Sequence, residues 1–220
     1  MINFEQYLLE RKGSSVTQPQ PKRKVKDKKE LITIINGGES FANLDISDIS
    51  DLDNLQSSCT HKFSDKDLEA LNTWDTSHIK SCQYTFSISE FTEAPSWSLS
   101  SCLNCNGMFI LSKKLQTVPY IGLRVCESVI GMFSGCEQLK EGPKLDTNSV
   151  QYFSQMFREC RELVTTPVYD ISNAKNLSSM FRGCVKLTTD YSSWDLSNIP
   201  IKEYDFMFSG AVNATIPYMP

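Results

Sequence analysis

The feature that most constrains the fold of this chain is an internal repeat with a period of 24 residues. Met-Phe pairs mark the repeat at intervals of 24, 24, 24 and 27 residues: Met108-Phe109, Met132-Phe133, Met156-Phe157, Met180-Phe181 and Met207-Phe208. Three of them open the longer pattern Met-Phe-x-x-Cys-x-x-Leu, at 132–139, 156–163 and 180–187. Units this short cannot bury an apolar face alone, so the period predicts stacked repeats that share one core.

Fainter copies extend the repeat toward the N-terminus. Asp146 and Asp170 each stand ten residues before a Met-Phe pair, and Asp75 stands ten residues before Thr85. The stretch 48–59 fits the same frame with Ser58 in the Met position. The sequence therefore predicts seven anchor positions, at 58, 85, 108, 132, 156, 180 and 207.

Each unit divides into two predicted elements. Before the Met-Phe pair, apolar residues fall three or four apart, which is typical of one buried helical face, with Asp146 and Asp170 as predicted N-caps and Gly135 and Gly183 as left-handed helix ends. After the pair, a proline recurs every 24 residues, at Pro95, Pro119, Pro143 and Pro167, in a short segment that suits a brief strand. We therefore predict an α/β repeat, a leucine-rich-repeat-like solenoid of about seven strand-plus-short-helix units of 23–27 residues.

Charge divides the chain into a basic arm and an acidic body. Residues 1–30 carry eight Lys and Arg against four Asp and Glu, whereas residues 31–220 carry 14 against 22. We predict an amphipathic helix or targeting peptide at 1–12, a flexible basic linker at 13–26, an N-terminal cap at 27–43 and the solenoid at 44–220. The basic run 22–29 could bind phosphate backbones, but it lacks interleaved aromatic residues and precedes an acidic body, so we do not expect nucleic acid as a partner.

The eight cysteines fall on repeat positions that are expected to be buried. Cys136, Cys160 and Cys184 share one column, and the other five align with apolar residues of neighbouring repeats. Cys102-Leu-Asn-Cys105 could be a redox pair or half of a zinc site, but a second pair is missing. We expect reduced core cysteines, no metal site and a reducing compartment.

Few residues of the chain suit catalysis. His61 and His78 are its two histidines, and Gly-x-Ser-x-Gly, phosphate-loop and His-Glu-x-x-His motifs are missing. We expect no enzyme activity, no cofactor and no small-molecule substrate. The sequence has no apolar run of roughly 18 residues and no secretory signal at its start, so we expect neither a membrane span nor export.

The repeats resemble those of the BspA-like leucine-rich repeat family, the Met-Phe-rich repeats of bacterial surface proteins. The resemblance covers about residues 27–214, and Trp74–Ser77 and Trp194–Ser197 are typical of it. It implies a non-enzymatic protein associated with adhesion or protein recognition. Residues 1–10, MINFEQYLLE, also resemble the capsid-targeting peptides of internal head proteins in tailed phages, which are cleaved after Leu-x-Glu, here Leu8-Leu9-Glu10. The alternative for this segment is an ordinary N-terminal helix.

We therefore expect a phage-encoded protein-protein interaction module that binds a host protein in the reducing cytoplasm of a bacterium, with delivery from a virion as one route. The alternative is a structural or adhesive repeat protein of a cell surface or virion. Binding is expected on a row formed by the residue after each proline, Ser96, Tyr120, Lys144 and Val168, with Ser192 aligned. Our candidate partner-binding residues are Tyr120, Lys144 and Tyr191.

Overall fold

Helices and strands are few in the computed structural model, which describes residues 21–219. The strands are β1 (Arg23–Lys24) and β2 (Leu44–Asp45), and the α-helices are α1 (Lys28–Asn36), α2 (Leu55–Ser58) and α3 (Leu68–Leu71). Short 3₁₀ helices lie at Asp65–Asp67 and Ile201–Glu203. Residues 72–200 contain turns, bends, isolated bridges and irregular chain, with no helix or strand. The predicted solenoid of seven strand-plus-helix units is therefore wrong.

Each repeat instead forms one coil of irregular chain, which is paired with the next coil by parallel backbone contacts. Isolated parallel bridges join the residues four positions before the anchors of successive coils: Ser81 with Asn104, Asn104 with Ser128, Ser128 with Tyr152, and Tyr152 with Asn176. Asp51 of the first coil pairs with Ser81 in the same way. Hydrogen bonds continue past each bridge, as from the Val129 N–H to the Tyr152 carbonyl and from the Phe133 N–H to the Met156 carbonyl, both 2.9 Å. The coils therefore stack in sequence order.

Left-handed backbone explains why the apolar spacing does not produce helices. Each coil from the anchor at 85 onward has a residue with positive φ just before its anchor and another three residues after it. The residues are Tyr84, Gly107, Gly131, Gln155, Ser179 and Phe206 at the first position, and Ile88, Leu111, Gly135, Glu159, Gly183 and Gly210 at the second. An α-helix cannot pass through such residues. Gly135 and Gly183 are left-handed as predicted, but they close tight turns.

The repeat aspartates form local turns rather than helix caps. The Asp170 carboxylate accepts a hydrogen bond from the Ser172 N–H at 2.8 Å, and Asp75 accepts one from Ser77 at 3.0 Å. Neither Asp146 nor Asp170 precedes a helix, so the predicted N-cap role is wrong. The backbone hydrogen bond from Ser172 holds the pKa of Asp170 below its usual value.

The Met-Phe column forms the centre of the core, as predicted. Met108, Met132, Met156, Met180 and Met207 are buried, as are the first four phenylalanines that follow them, and Phe208 is half-buried. The phenyl rings stack from coil to coil with centroid separations of 5.7 Å (Phe109 to Phe133), 5.4 Å (Phe133 to Phe157), 5.7 Å (Phe157 to Phe181) and 5.5 Å (Phe181 to Phe208). This aromatic ladder gives the irregular coils a continuous apolar core.

The first coil lies three residues away from its predicted register. The Asn54 N–H bonds to the Gln83 carbonyl at 2.8 Å, just as the Tyr84 N–H bonds to Asn106, and Asn54 and Tyr84 are both left-handed. Leu55 is therefore the equivalent of Thr85, and the predicted anchor at Ser58 is wrong. The extra residues of this long repeat form Asp65–Asp67 and α3.

Helix α1 lies within the segment 27–43, for which the sequence predicts an N-terminal cap, and its apolar side packs into the core. Its N-cap residue, Asp27, accepts a hydrogen bond from the Glu30 N–H at 2.8 Å, and Leu31, Ile34 and Ile35 are buried. Residues 21–26, assigned to a flexible linker from sequence, belong to the fold instead. They include β1, which pairs in parallel with β2, and the fully buried Val25.

A candidate binding groove between two coils

Backbone pairing between coils is interrupted along the proline-bearing face. Between 165–168 and 189–192 the Thr189 hydroxyl fills the gap, accepting from the Thr166 N–H at 2.9 Å and donating to the Thr166 carbonyl at 3.5 Å. Parallel bridges join Glu93 to Thr117 and Glu141 to Thr165, but no backbone hydrogen bond within residues 21–219 joins 116–119 to 140–143. Pairing resumes at the bridge between Ile121 and Leu145. A groove with a volume of about 670 Å³ lies between the two separated segments.

Gly142 allows the second of these segments to pack tightly against the coil that follows it. A Cβ atom at this position would lie 2.7 Å from Thr166 Cγ2, so the lack of a side chain lets segment 140–143 pack tightly against the following coil. The Gly142 N–H donates to the Thr165 carbonyl at 2.8 Å, and the buried Tyr169 hydroxyl donates to the Pro143 carbonyl at 2.9 Å. These contacts hold segment 140–143 against the coil that follows it, and the groove opens on the side of the preceding coil.

The groove combines apolar side chains with backbone groups that lack a hydrogen-bond partner among the described residues. Its lining comprises Gln116, Thr117, Val118, Tyr120, Lys140, Glu141, Gly142, Pro143, Lys144, Thr165, Thr166 and Pro167. The Val118 N–H and carbonyl and the Lys140 N–H make no hydrogen bond to the residues that the structure describes. Such backbone groups need water or a ligand as a partner.

Two of the three residues predicted from sequence meet in this groove. Tyr120 is 64% exposed and Lys144 is also exposed, and both line the groove. Ser96, Val168 and Ser192, the other members of the predicted row, are exposed as well. Whether these residues bind a partner stays a prediction.

Tyr191 does not belong to this surface. Its side chain is fully buried, and its hydroxyl lies 2.6 Å from Thr166 Oγ1. Burial raises the pKa of Tyr191 to about 12, so the phenol stays neutral. Tyr191 occupies the proline column rather than the exposed position after it, and its selection as a binding residue is wrong.

The groove also differs from neighbouring surfaces in its charge. Between the anchors and the proline segments, some lysines form ion pairs across coils, as Lys113 does with Glu137 at 2.9 Å and Lys186 with Glu162 at 2.6 Å. Lys140, Glu141 and Lys144 form no ion pair with any residue in 21–219. The groove therefore carries two free ammonium groups and one free carboxylate.

The cysteines are structural rather than part of a second site. Seven of the eight are buried and Cys59 is half-buried, and all are free thiols. The Cys160 thiol donates to the Phe133 carbonyl of the preceding coil at 3.1 Å, and Cys184 donates to Phe157 at 3.0 Å. Burial raises the pKa of Cys184 to about 12, which keeps that thiol protonated as a donor. These thiols form hydrogen bonds between adjacent coils.

The Cys102 and Cys105 thiols lie 3.5 Å apart and are both fully buried, so a partner protein cannot reach them in the folded chain. Within residues 21–219, no group of three or more His, Cys, Asp or Glu side chains is arranged to hold a metal ion.

Three of the six basic side chains in the run 22–29 form ion pairs with carboxylates that follow the run in the chain. Arg23 pairs with Glu39 at 2.7 Å, Lys24 pairs with Asp48 at 2.9 Å, and Lys28 pairs with Asp51. The Lys22 ammonium donates to the Thr73 carbonyl at 2.8 Å. These contacts compete with any binding of phosphate groups by the same side chains.

A family model described as "Mycoplasma protein of unknown function, DUF285" matches residues 30–141 and 127–217. The chain belongs to this family. Membership of the DUF285 family is consistent with the BspA-like resemblance and with a non-enzymatic interaction or surface role, and it carries no information on a phage origin. No curated protein and no solved structure matches the chain. None of the helices in residues 21–219 has the length and apolar character required to cross a bilayer.

Proposed function

We propose that this DUF285 protein is a non-enzymatic module that binds another protein through the groove between residues 116–120 and 140–144. The interruption of inter-coil pairing supports the proposal most directly. It leaves backbone donors and acceptors without a partner among the described residues, beside exposed side chains.

The surroundings of the groove favour a macromolecular partner. Tyr120 exposes an aromatic ring with a polar tip, a residue type enriched where proteins meet. Exposed residues at equivalent positions of neighbouring coils, Ser96, Val168 and Ser192, extend the surface on both sides. Stacked repeats commonly bind through such extended rows.

In its finer form, the proposal is that the partner is a host protein in the reducing cytoplasm of a bacterium, and that the chain is phage-encoded. The buried free thiols support a reducing compartment. The likeness to a capsid-targeting peptide lies in residues 1–10, outside the described residues, so the phage origin rests on sequence alone.

Quantitative cross-linking of the full chain in bacterial lysate, read by mass spectrometry, tests this function. Tyr120→Ala and Lys144→Glu are compared with Lys66→Glu, an exposed lysine distant in sequence from the groove. We expect a saturable protein partner whose capture falls roughly tenfold in both groove variants and is unchanged in the control. Equal capture by all three variants, or no saturable partner, would contradict the proposal.

A structural or adhesive role is the second candidate, and the last coil favours it. Ile201, Phe206 and Val212 are 64%, 66% and 83% exposed, and apolar surface of this kind often marks a site of association. If this role holds, the intact protein should be found on purified particles or cell surfaces, and a Phe206→Ser variant should attach less well than Lys66→Glu.

A further inference from the structure

We propose that the ligand of the groove is an extended, acidic peptide segment, which pairs as an added strand with the backbone of residues 116–118. This inference rests on the proposed function and specifies the chemistry of its partner. The unpaired backbone, the free lysines and the exposed tyrosine each contribute one part of the argument.

The backbone explains why the ligand should be extended. In the neighbouring gaps the coils pair directly, as where the Gln116 N–H donates to Thr92 at 2.8 Å and the Val164 N–H donates to Lys140 at 2.8 Å. In the groove, both polar groups of Val118 lack a partner among the described residues. An extended peptide presents the alternating carbonyl and N–H groups that such an edge requires, as in strand addition.

The charges explain why the ligand should be acidic. The whole chain has a net charge of −4, and ion pairs occupy many of its other lysines. Lys140 and Lys144 are exposed at the groove without a carboxylate partner in residues 21–219, and Glu141 opposes them with one negative charge. Two ammonium groups against one carboxylate favour a ligand that carries more than one acidic side chain.

Tyr120 supplies the apolar contact. Its ring lies close to the backbone at Gly122, where an added Cβ would meet the tyrosine Cε1 at 3.7 Å. The ring therefore stands at the end of the groove where the coils close again at Ile121 and Leu145. There it can pack against a side chain of the bound segment.

Fluorescence anisotropy with synthetic peptides tests the inference on the full chain. The probe is fluorescein-labelled Gly-Thr-Glu-Val-Glu-Val-Glu-Thr-Gly, compared with a copy in which Lys replaces each Glu and with a copy N-methylated at alternate amides. We expect saturable binding of the acidic peptide and roughly tenfold weaker binding of both comparison peptides. Lys144→Glu should weaken binding of the acidic peptide by a similar factor, whereas Lys66→Glu should leave it unchanged.

The possible outcomes distinguish a failure of this inference from a failure of the proposed function. Equal binding of the acidic and basic peptides, or of the methylated and unmethylated peptides, overturns the inference. Absence of peptide binding, while a cross-linked partner still depends on Tyr120 and Lys144, overturns the inference and leaves the proposed function standing. Peptide binding that depends on Lys144, without any protein partner in the cell, supports the chemistry of the groove and contradicts the proposed function.

Discussion

The aromatic ladder leads to a quantitative prediction for Phe157→Ala. The Phe157 side chain is fully buried and lies 5.4 Å from Phe133, 5.7 Å from Phe181 and 6.0 Å from Tyr169, measured between ring centroids. Truncation removes the buried ring and leaves a cavity between two coils, so the free energy of unfolding should fall by about 3–5 kcal/mol. For a chain of this size, the melting temperature should fall by about 6–20 °C.

Guanidinium unfolding followed by circular dichroism and tryptophan fluorescence measures this loss. Phe208→Ala is the matched control, because Phe208 is half-buried and has a ladder neighbour on one side only. We expect it to lose roughly half as much free energy as Phe157→Ala. Equal losses at the two positions, or a Phe157→Ala variant that melts like the parent chain, would refute the ladder as the source of stability.

Three further predictions follow from individual contacts. Cys160→Ser should cost less than about 1 kcal/mol, and less than Cys160→Ala, because Ser112 already donates to the preceding coil from the equivalent position at 2.9 Å; unfolding curves that rank serine below alanine would contradict this. Asp170 has a pKa below the 3.8 of an unfolded aspartate, so its contribution to stability should be present above that pH and lost as the pH falls below it; Asp170→Asn should show a weaker acid dependence of the unfolding midpoint. Gly142→Ala should push the chain away from Thr166 and narrow the groove, which should weaken peptide binding as well as lower the melting temperature; unchanged affinity would contradict a role of the close packing at Gly142 in holding the groove open.

The sequence correctly predicted the parts of the fold that depend on periodic burial. The burial of the Met-Phe column and of the cysteine column could be predicted, because both place apolar side chains at fixed intervals. The predicted first anchor is wrong because Asp45 and Asp48 both stand in Asp-Ile-Ser segments. It is Asp45 that accepts the Ser47 N–H and lies ten residues before Leu55.

The strand-plus-helix units could not be corrected from sequence, because left-handed residues such as Gln155, Glu159 and Ser179 carry no local signal for positive φ. Tight turns at these positions reproduce the spacing of a helical face without forming a helix. Tyr120 and Lys144 were found by their place after proline, but the groove between them depends on a missing pairing between coils, which a single sequence does not display.

Hydrogen–deuterium exchange of the free chain tests most directly the claim that backbone pairing between coils is missing at the groove. The Phe109, Phe133 and Phe157 amides donate to the next coil and lie over the core, so they should exchange slowly. The Val118 and Lys140 amides have no acceptor in residues 21–219 and should exchange orders of magnitude faster. Protection of Val118 and Lys140 equal to that of Phe133 would mean that the coils are joined there, and the account of the groove would fail.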